Sequence, residues 1–210
     1  MKEFLLKEIF NSFKANDIDY LVLRKQEQIP DKVTYNNDLD LLCKSAQRKK
    51  IKNIFLKNRY NFYQDSEAQN VYLYGAKPHD HFLNKKNDLH IDIIYSLSYR
   101  SPNKGEWVSV DKEIQRDIWD QLVVSDKFWK YKPSAQDELI HILCHCIFDK
   151  RRIDEYYKLK IQELLAQVDS SLLEKKLSLI FFDFSPKLIE YILNNDTDNI
   201  FLNYISFKEY

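Results

Sequence analysis

A chain of 210 residues with 44% hydrophobic and 30% charged side chains is large enough for a packed core and too apolar to be a disordered segment. Its 32 basic and 32 acidic side chains cancel, so no whole-molecule field exists to hold nucleic acid or an anionic membrane. Glycine occurs only at Gly75 and Gly105, which excludes the glycine-dependent loops of P-loop and dinucleotide-binding proteins and the Gly-x-Ser-x-Gly elbow of hydrolases.

Taken in chain order, Phe4, Leu5, Ile9, Phe10 and Phe13 recur at helical spacing, so residues 3–15 predict a helix ended by Asn16 and Asp17. "IDYLVLR" (18–24) predicts a buried strand, 25–37 a polar loop holding Pro30, and "DLDLLC" (38–43) a second strand. Residues 45–58 predict a helix with Ile51, Ile54 and Phe55 inward. Short strands follow near 60–64 and 70–74. "HFLNKKNDLHIDIIY" predicts a hairpin that turns near Lys85 to Asp88. "SPNKGEW" predicts a loop, 111–122 a helix, and Ser134 the cap of a helix through "DELIHILCHCIFDK". The rest is helical, with breaks near Ser185-Pro186 and Asn194 to Asp198. The expected class is α+β: a mixed sheet with flanking helices (1–110), then a helical part (111–210).

Side chains alternate along a strand, so Asp38 and Asp40 share one face while Leu39 and Leu41 take the other. Asp92 lies in an apolar strand between Ile91 and Ile93. If those strands are neighbours, three carboxylates converge. Without a counter-charge they repel and take up protons. A divalent cation supplies the missing charge, and oxygen-only ligands suit Mg²⁺ or Mn²⁺. Such sites serve phosphoryl or nucleotidyl transfer.

The order of helix, strand, loop, Asp-x-Asp strand and later Asp strand resembles the nucleotidyltransferase superfamily, with its polymerase-beta-like fold. Leu23-Arg24, Pro30 and "DLDLL" also resemble uncharacterised bacterial nucleotidyltransferase-like proteins, many of them associated with polysaccharide loci. The resemblance covers residues 1 to about 165. It implies a Mg²⁺-dependent enzyme that transfers a nucleotidyl group from a nucleoside triphosphate to a hydroxyl of a small-molecule or saccharide acceptor. Asp38, Asp40 and Asp92 would hold the metal, and Asp92 would also help to deprotonate the acceptor. Active members usually carry Gly-Ser at the end of the first strand. Here Arg24 and Lys25 stand there, and would steady the phosphates by side-chain charge. Two other functions fit the same residues: a catalytically inactive binding or regulatory module, and a toxin-type enzyme that modifies RNA.

Further candidates surround this set. His79, His81 and His90 lie on the hairpin arms. They read as surface or substrate groups, with His90 beside Asp92; a transition-metal site of histidines and Asp92 is the alternative. Asp137, His141, His145 and Asp149 form a stripe down one helix. The expected arrangement is hydrogen-bonded histidines at a helix–sheet interface, with His145 or Lys150 turned to the cleft. Arg100 and Lys104 follow the Asp92 strand as candidate phosphate or acidic-substrate contacts. From Lys44 to Arg59 run seven basic residues and no acid, a feature of a solvated helix face or an RNA-attracting one. Cys43, Cys144 and Cys146 form no C-x-x-C pair, and read as reduced thiols of an intracellular chain. With neither a signal peptide's apolar core nor a membrane-length apolar run, the expected location is the cytoplasm of a bacterium.

Overall fold

The computed structural model describes residues 1–64, 70–101 and 105–204. The predicted Lys104 contact lies outside them. The first helix, α1 (Lys2–Ala15), turns Leu6, Ile9, Phe10 and Phe13 to the core, while Phe4 points to solvent. Strand β1 (Tyr20–Val22) leads through the Pro30 loop to β2 (Leu39–Cys43), and α2 (Arg48–Lys57) follows. Next come β3 (Asn61–Gln64), β4 (Val71–Leu73), and the hairpin of β5 (Asp80–Asn84) and β6 (Leu89–Ile94).

Five strands form one mixed sheet in the order β1-β2-β6-β5-β3. β2 and β6 pair in parallel; the other neighbours are antiparallel. The two strands predicted near 60–74 part company. β3 closes the main sheet, whereas β4 joins β7 (Ser98–Arg100) and β8 (Glu106–Ser109) in a small sheet. β8 corrects the expectation of a loop through "SPNKGEW" at its last two residues: Glu106 to Ser109 are strand and bury Trp107, while 102–104 lie outside the described residues.

The remainder comprises α3 (Lys112–Asp120), a two-stranded ribbon of β9 (Val123–Val124) and β10 (Tyr131–Lys132), and α4 (Ala135–Cys144). A π-helical stretch, His145–Lys150, extends α4. Then follow α5 (Glu155–Leu165), α6 (Ser170–Phe181), α7 (Ser185–Leu193) and α8 (Thr197–Tyr204). Ser134 Oγ caps α4 as expected, accepting from the Asp137 amide. The helix break expected near Ser185-Pro186 lies between α6 and α7: it falls at Phe182, whose φ is 51°, and Ser185-Pro186 opens α7, because proline fits a first helical turn.

Alternation along the strands feeds two cores, one on each face of the sheet. Tyr20, Val22, Leu39, Leu41, Ile91 and Ile93 pack against α1 and α2. Phe55 of α2 stacks on Phe82 of β5, with ring centroids 4.1 Å apart. Leu21, Leu42 and Ile94, with Leu23 just beyond β1, pack instead against α3 to α8. Each fully buried Leu, Ile or Phe contributes about 1.5–3 kcal/mol. The three cysteines are buried and unbridged. Among the described residues no helix is long and apolar enough to cross a membrane.

Candidate active site

The parallel pairing of β2 with β6 sets Asp40 directly beside Asp92. Both lie on the face shared with Leu42 and Ile94, at the end where that face stops being apolar. Asp38 stands one residue before β2. One oxygen from each of the three carboxylates lies within 4.8 Å of the other two. Asp40 and Asp92 are buried, and Asp38 is half-buried. The convergence expected from the sequence is present.

Arg24, just past β1, is buried with them. Its Nη2 lies 2.8 Å from Asp40 Oδ2, while its Nε has no hydrogen-bond partner among the described residues. Arg24, with Lys25 at longer range, is thus the positive charge set against three carboxylates. Burial pushes the Asp40 carboxyl up to about 7; Arg24 opposes the rise, and Asp38 and Asp92 add to it. Asp92 goes the other way. Burial raises its pKa, but hydrogen bonds from His81 and His90 outweigh that and hold it well below the usual carboxylate range. His81 Nδ1 lies 2.5 Å and His90 Nε2 2.7 Å from Asp92 Oδ1.

These acids line a cavity of about 340 Å³. Its other wall comes from the helical part and the small sheet: Tyr99, Arg100, Trp107, His141, His145, Asp149 and Lys150. His141 shares a 2.7 Å hydrogen bond with the Tyr99 hydroxyl. His145 Nδ1 lies 3.2 Å from Asp149 Oδ2. Asp149 Oδ1 in turn accepts from the Arg100 amide, tying the π-helical stretch to β7. Burial, then the charges of Arg24 and Lys150, lowers the His145 pKa to about 2; burial also holds His141 well below its usual value. Both imidazoles are therefore neutral near pH 7. The Nε2 atoms of both are buried with no hydrogen-bond partner among the described residues.

Asp38, Asp40, Asp92, Arg24, Arg100 and His145 thus meet around one cavity. Lys25 does not line it: its Nζ donates to Asn37 Oδ1 at 2.5 Å and braces the Pro30 loop. His90 touches Asp92 but lies outside the cavity lining. Tyr99 and Trp107, on β7 and β8, also line the cavity without having been expected from the sequence; for Trp107 the signal was "EWVS". Four of the seven basic residues from Lys44 to Arg59 make contacts within the molecule. Lys44 Nζ lies 3.9 Å from the Trp119 ring centroid and Lys52 Nζ 3.4 Å from that of Phe62. Arg48 pairs with Asp80, and Lys50 donates to the Asn16 carbonyl.

No protein-family model matches the chain, and no curated protein matches it in sequence. One solved structure is similar: the solution structure of the antibiotic-resistance factor ANT(2'')-Ia. It matches 93% of this chain and the whole of its own, with a TM-score of 0.51 and 6% identity. At that identity the likeness concerns the fold, which is a nucleotidyltransferase-like α+β arrangement.

Proposed function

We propose that the chain is a metal-dependent nucleotidyltransferase that moves a nucleoside monophosphate from a triphosphate to a hydroxyl of a small-molecule or saccharide acceptor. The observation that carries this reading is the unbalanced set of three carboxylates at a cavity wall, on a sheet of nucleotidyltransferase type. The similar structure is that of an antibiotic-resistance factor, which supports a small acceptor. The donor set fits a hard divalent cation. Arg24 engages one oxygen of Asp40 and the two imidazoles one oxygen of Asp92, so each carboxylate keeps a second oxygen outside those pairs. A cation held by Asp38, Asp40 and Asp92 would neutralise the phosphates and the leaving pyrophosphate.

The chain's own residues do the rest. Arg100 and Lys150 offer positive charge at the cavity for the triphosphate. The acceptor oxygen bonds to the α-phosphorus as the bond to pyrophosphate breaks. Asp92, kept ionised by its two histidines, accepts a hydrogen bond from the acceptor hydroxyl and takes up its proton as the oxygen bonds to phosphorus. Neutral His141 and His145 add no charge of their own to the cavity wall. The helical part, proposed as a unit over 111–210, roofs the cavity. The test is calorimetry and pyrophosphate release with Mg²⁺ and each triphosphate. Asp38→Asn with Asp40→Asn should remove Mg²⁺-dependent binding; equal binding by variant and parent would refute the assignment.

One observation favours a second reading, a binding module without catalysis. Arg24 already holds Asp40, and no Gly-Ser stands at the end of β1. Nucleotide binding without pyrophosphate release from any triphosphate would select it.

A further inference from the structure

Asp92 belongs to a second cluster. His81 is its register partner across β5 and β6, and His90 lies two residues before it on the same strand, so all three share one face. Their ligating atoms crowd together: besides the two contacts to Asp92 Oδ1, His81 Nδ1 and His90 Nε2 are 3.3 Å apart. The far nitrogen of His90 is already committed. Its Nδ1–H donates to the Tyr35 carbonyl at 3.2 Å, and the Tyr35 ring lies 5.9 Å from the imidazole. With Nδ1 so held, Nε2 is aimed at Asp92 Oδ1, 2.7 Å away. One ligating atom from each of the three side chains therefore converges on a single point, and the donors are those of a metal.

We propose that His81 Nδ1, His90 Nε2 and Asp92 Oδ1 bind a divalent transition-metal cation of the zinc class. Two imidazole nitrogens and one carboxylate oxygen suit Zn²⁺, Co²⁺ or Fe²⁺ and not Mg²⁺, which prefers oxygen alone. The backbone carbonyl on the far nitrogen of His90 is the support that metal-ligating histidines commonly have: it sets the tautomer and aims the other nitrogen. In a tetrahedral zinc site, ligand atoms sit about 3.3 Å apart. The two nitrogens already do, and Asp92 Oδ1 need withdraw by less than about 1 Å. The cluster has the open character of a reactive site rather than a structural one, because three protein ligands leave a position for water or a substrate oxygen. Asp92 also lines the cavity, which ties this position to the substrate space. The three thiols are buried elsewhere and do not compete.

The test uses the full chain, stripped with a chelator and titrated with Co²⁺ in a large excess of Mg²⁺. One equivalent should bind, giving visible d–d bands without thiolate charge transfer, and Zn²⁺ should displace it. His81→Ala and His90→Ala should each weaken binding by more than about tenfold. His81→Gln and His90→Gln, which keep polar side chains, should do the same, so a poorly folded alanine variant leaves the test intact. The double variant Asp38→Asn with Asp40→Asn should retain the bands. Absence of binding, bands unchanged in the histidine variants, or bands lost in the Asp38/Asp40 variant would each overturn the site. Mg²⁺-dependent nucleotide binding is read separately, so failure here leaves the proposed transfer reaction standing, and the converse holds.

Discussion

Two clusters of buried charge lie on opposite faces of the five-stranded sheet, and they are built differently. On the face toward α1 and α2, Asp80 is fully buried and closed. It accepts from Arg48 Nε at 2.9 Å and Nη2 at 2.5 Å, and from the Tyr95 hydroxyl at 2.8 Å. On the other face Arg24 stands against Asp38, Asp40 and Asp92, and the Asp40 carboxyl rises to about 7. The first cluster is balanced by one bidentate cation and has no further demand. The second has an excess of negative charge in a desolvated place. A matched buried pair belongs to the fold; an unmatched one is the place to propose a binding position.

Mutation separates the two clusters most visibly. Arg48→Ala leaves Asp80 buried and short of its cation, and should cost about 3–5 kcal/mol in urea unfolding. Asp38→Asn removes a like charge instead, and should leave stability unchanged or raised. Equal losses in the two variants would erase the distinction. Next in size is the neutral imidazole wall. An unfolded His145 takes up a proton near its ordinary 6.5, whereas the folded one does so only at about 2. The unfolded state therefore gains the proton as pH falls through that window, and stability is lost from about 6.5 downward. At pH 5 the loss from His145 amounts to about 2 kcal/mol, so His145→Gln should give a shallower acid slope.

A smaller effect sharpens the metal reading. The folded Asp40 keeps a proton between its ordinary 3.8 and about 7 that the unfolded chain releases, so it lowers stability as pH rises across that range. A divalent cation prefers the carboxylate and should offset this. The Mg²⁺-induced rise in Tm should therefore be larger at pH 8 than at pH 5.5, by the equivalent of at most about 2 kcal/mol. An equal rise at both pH values would separate Asp40 from the metal. Smallest is the α2 run. Lys52→Ala loses a stacked cation over Phe62 and should cost at most about 1 kcal/mol. An accompanying loss of RNA affinity would revive the basic face as an interaction surface.

Most of the sheet and the acid set was legible in the sequence. Period-two alternation placed Asp38 and Asp40 together, and "LHIDII" marked Asp92 as an acid in an apolar strand. These are local properties of the backbone, and the chain states them directly. α1 was legible too, although Leu6 and not Phe4 faces inward, since an amphipathic stripe is read only to within a residue. β8 was hidden because its pairing with β4 and β7 joins distant segments and is invisible to local propensity.

What the sequence by itself determined is therefore the identity and face of each acid, the buried stripes, and the absence of a glycine phosphate loop. Tertiary structure alone decided the neighbours. It set β2 beside β6, so that Asp40 meets Asp92, and turned Arg24 onto Asp40 and Lys25 onto Asn37. It also brought His81 and His90 to one carboxylate oxygen. The physical reason is that charge balance is a sum over contacts between segments far apart in the chain, and only the packed molecule carries out that sum.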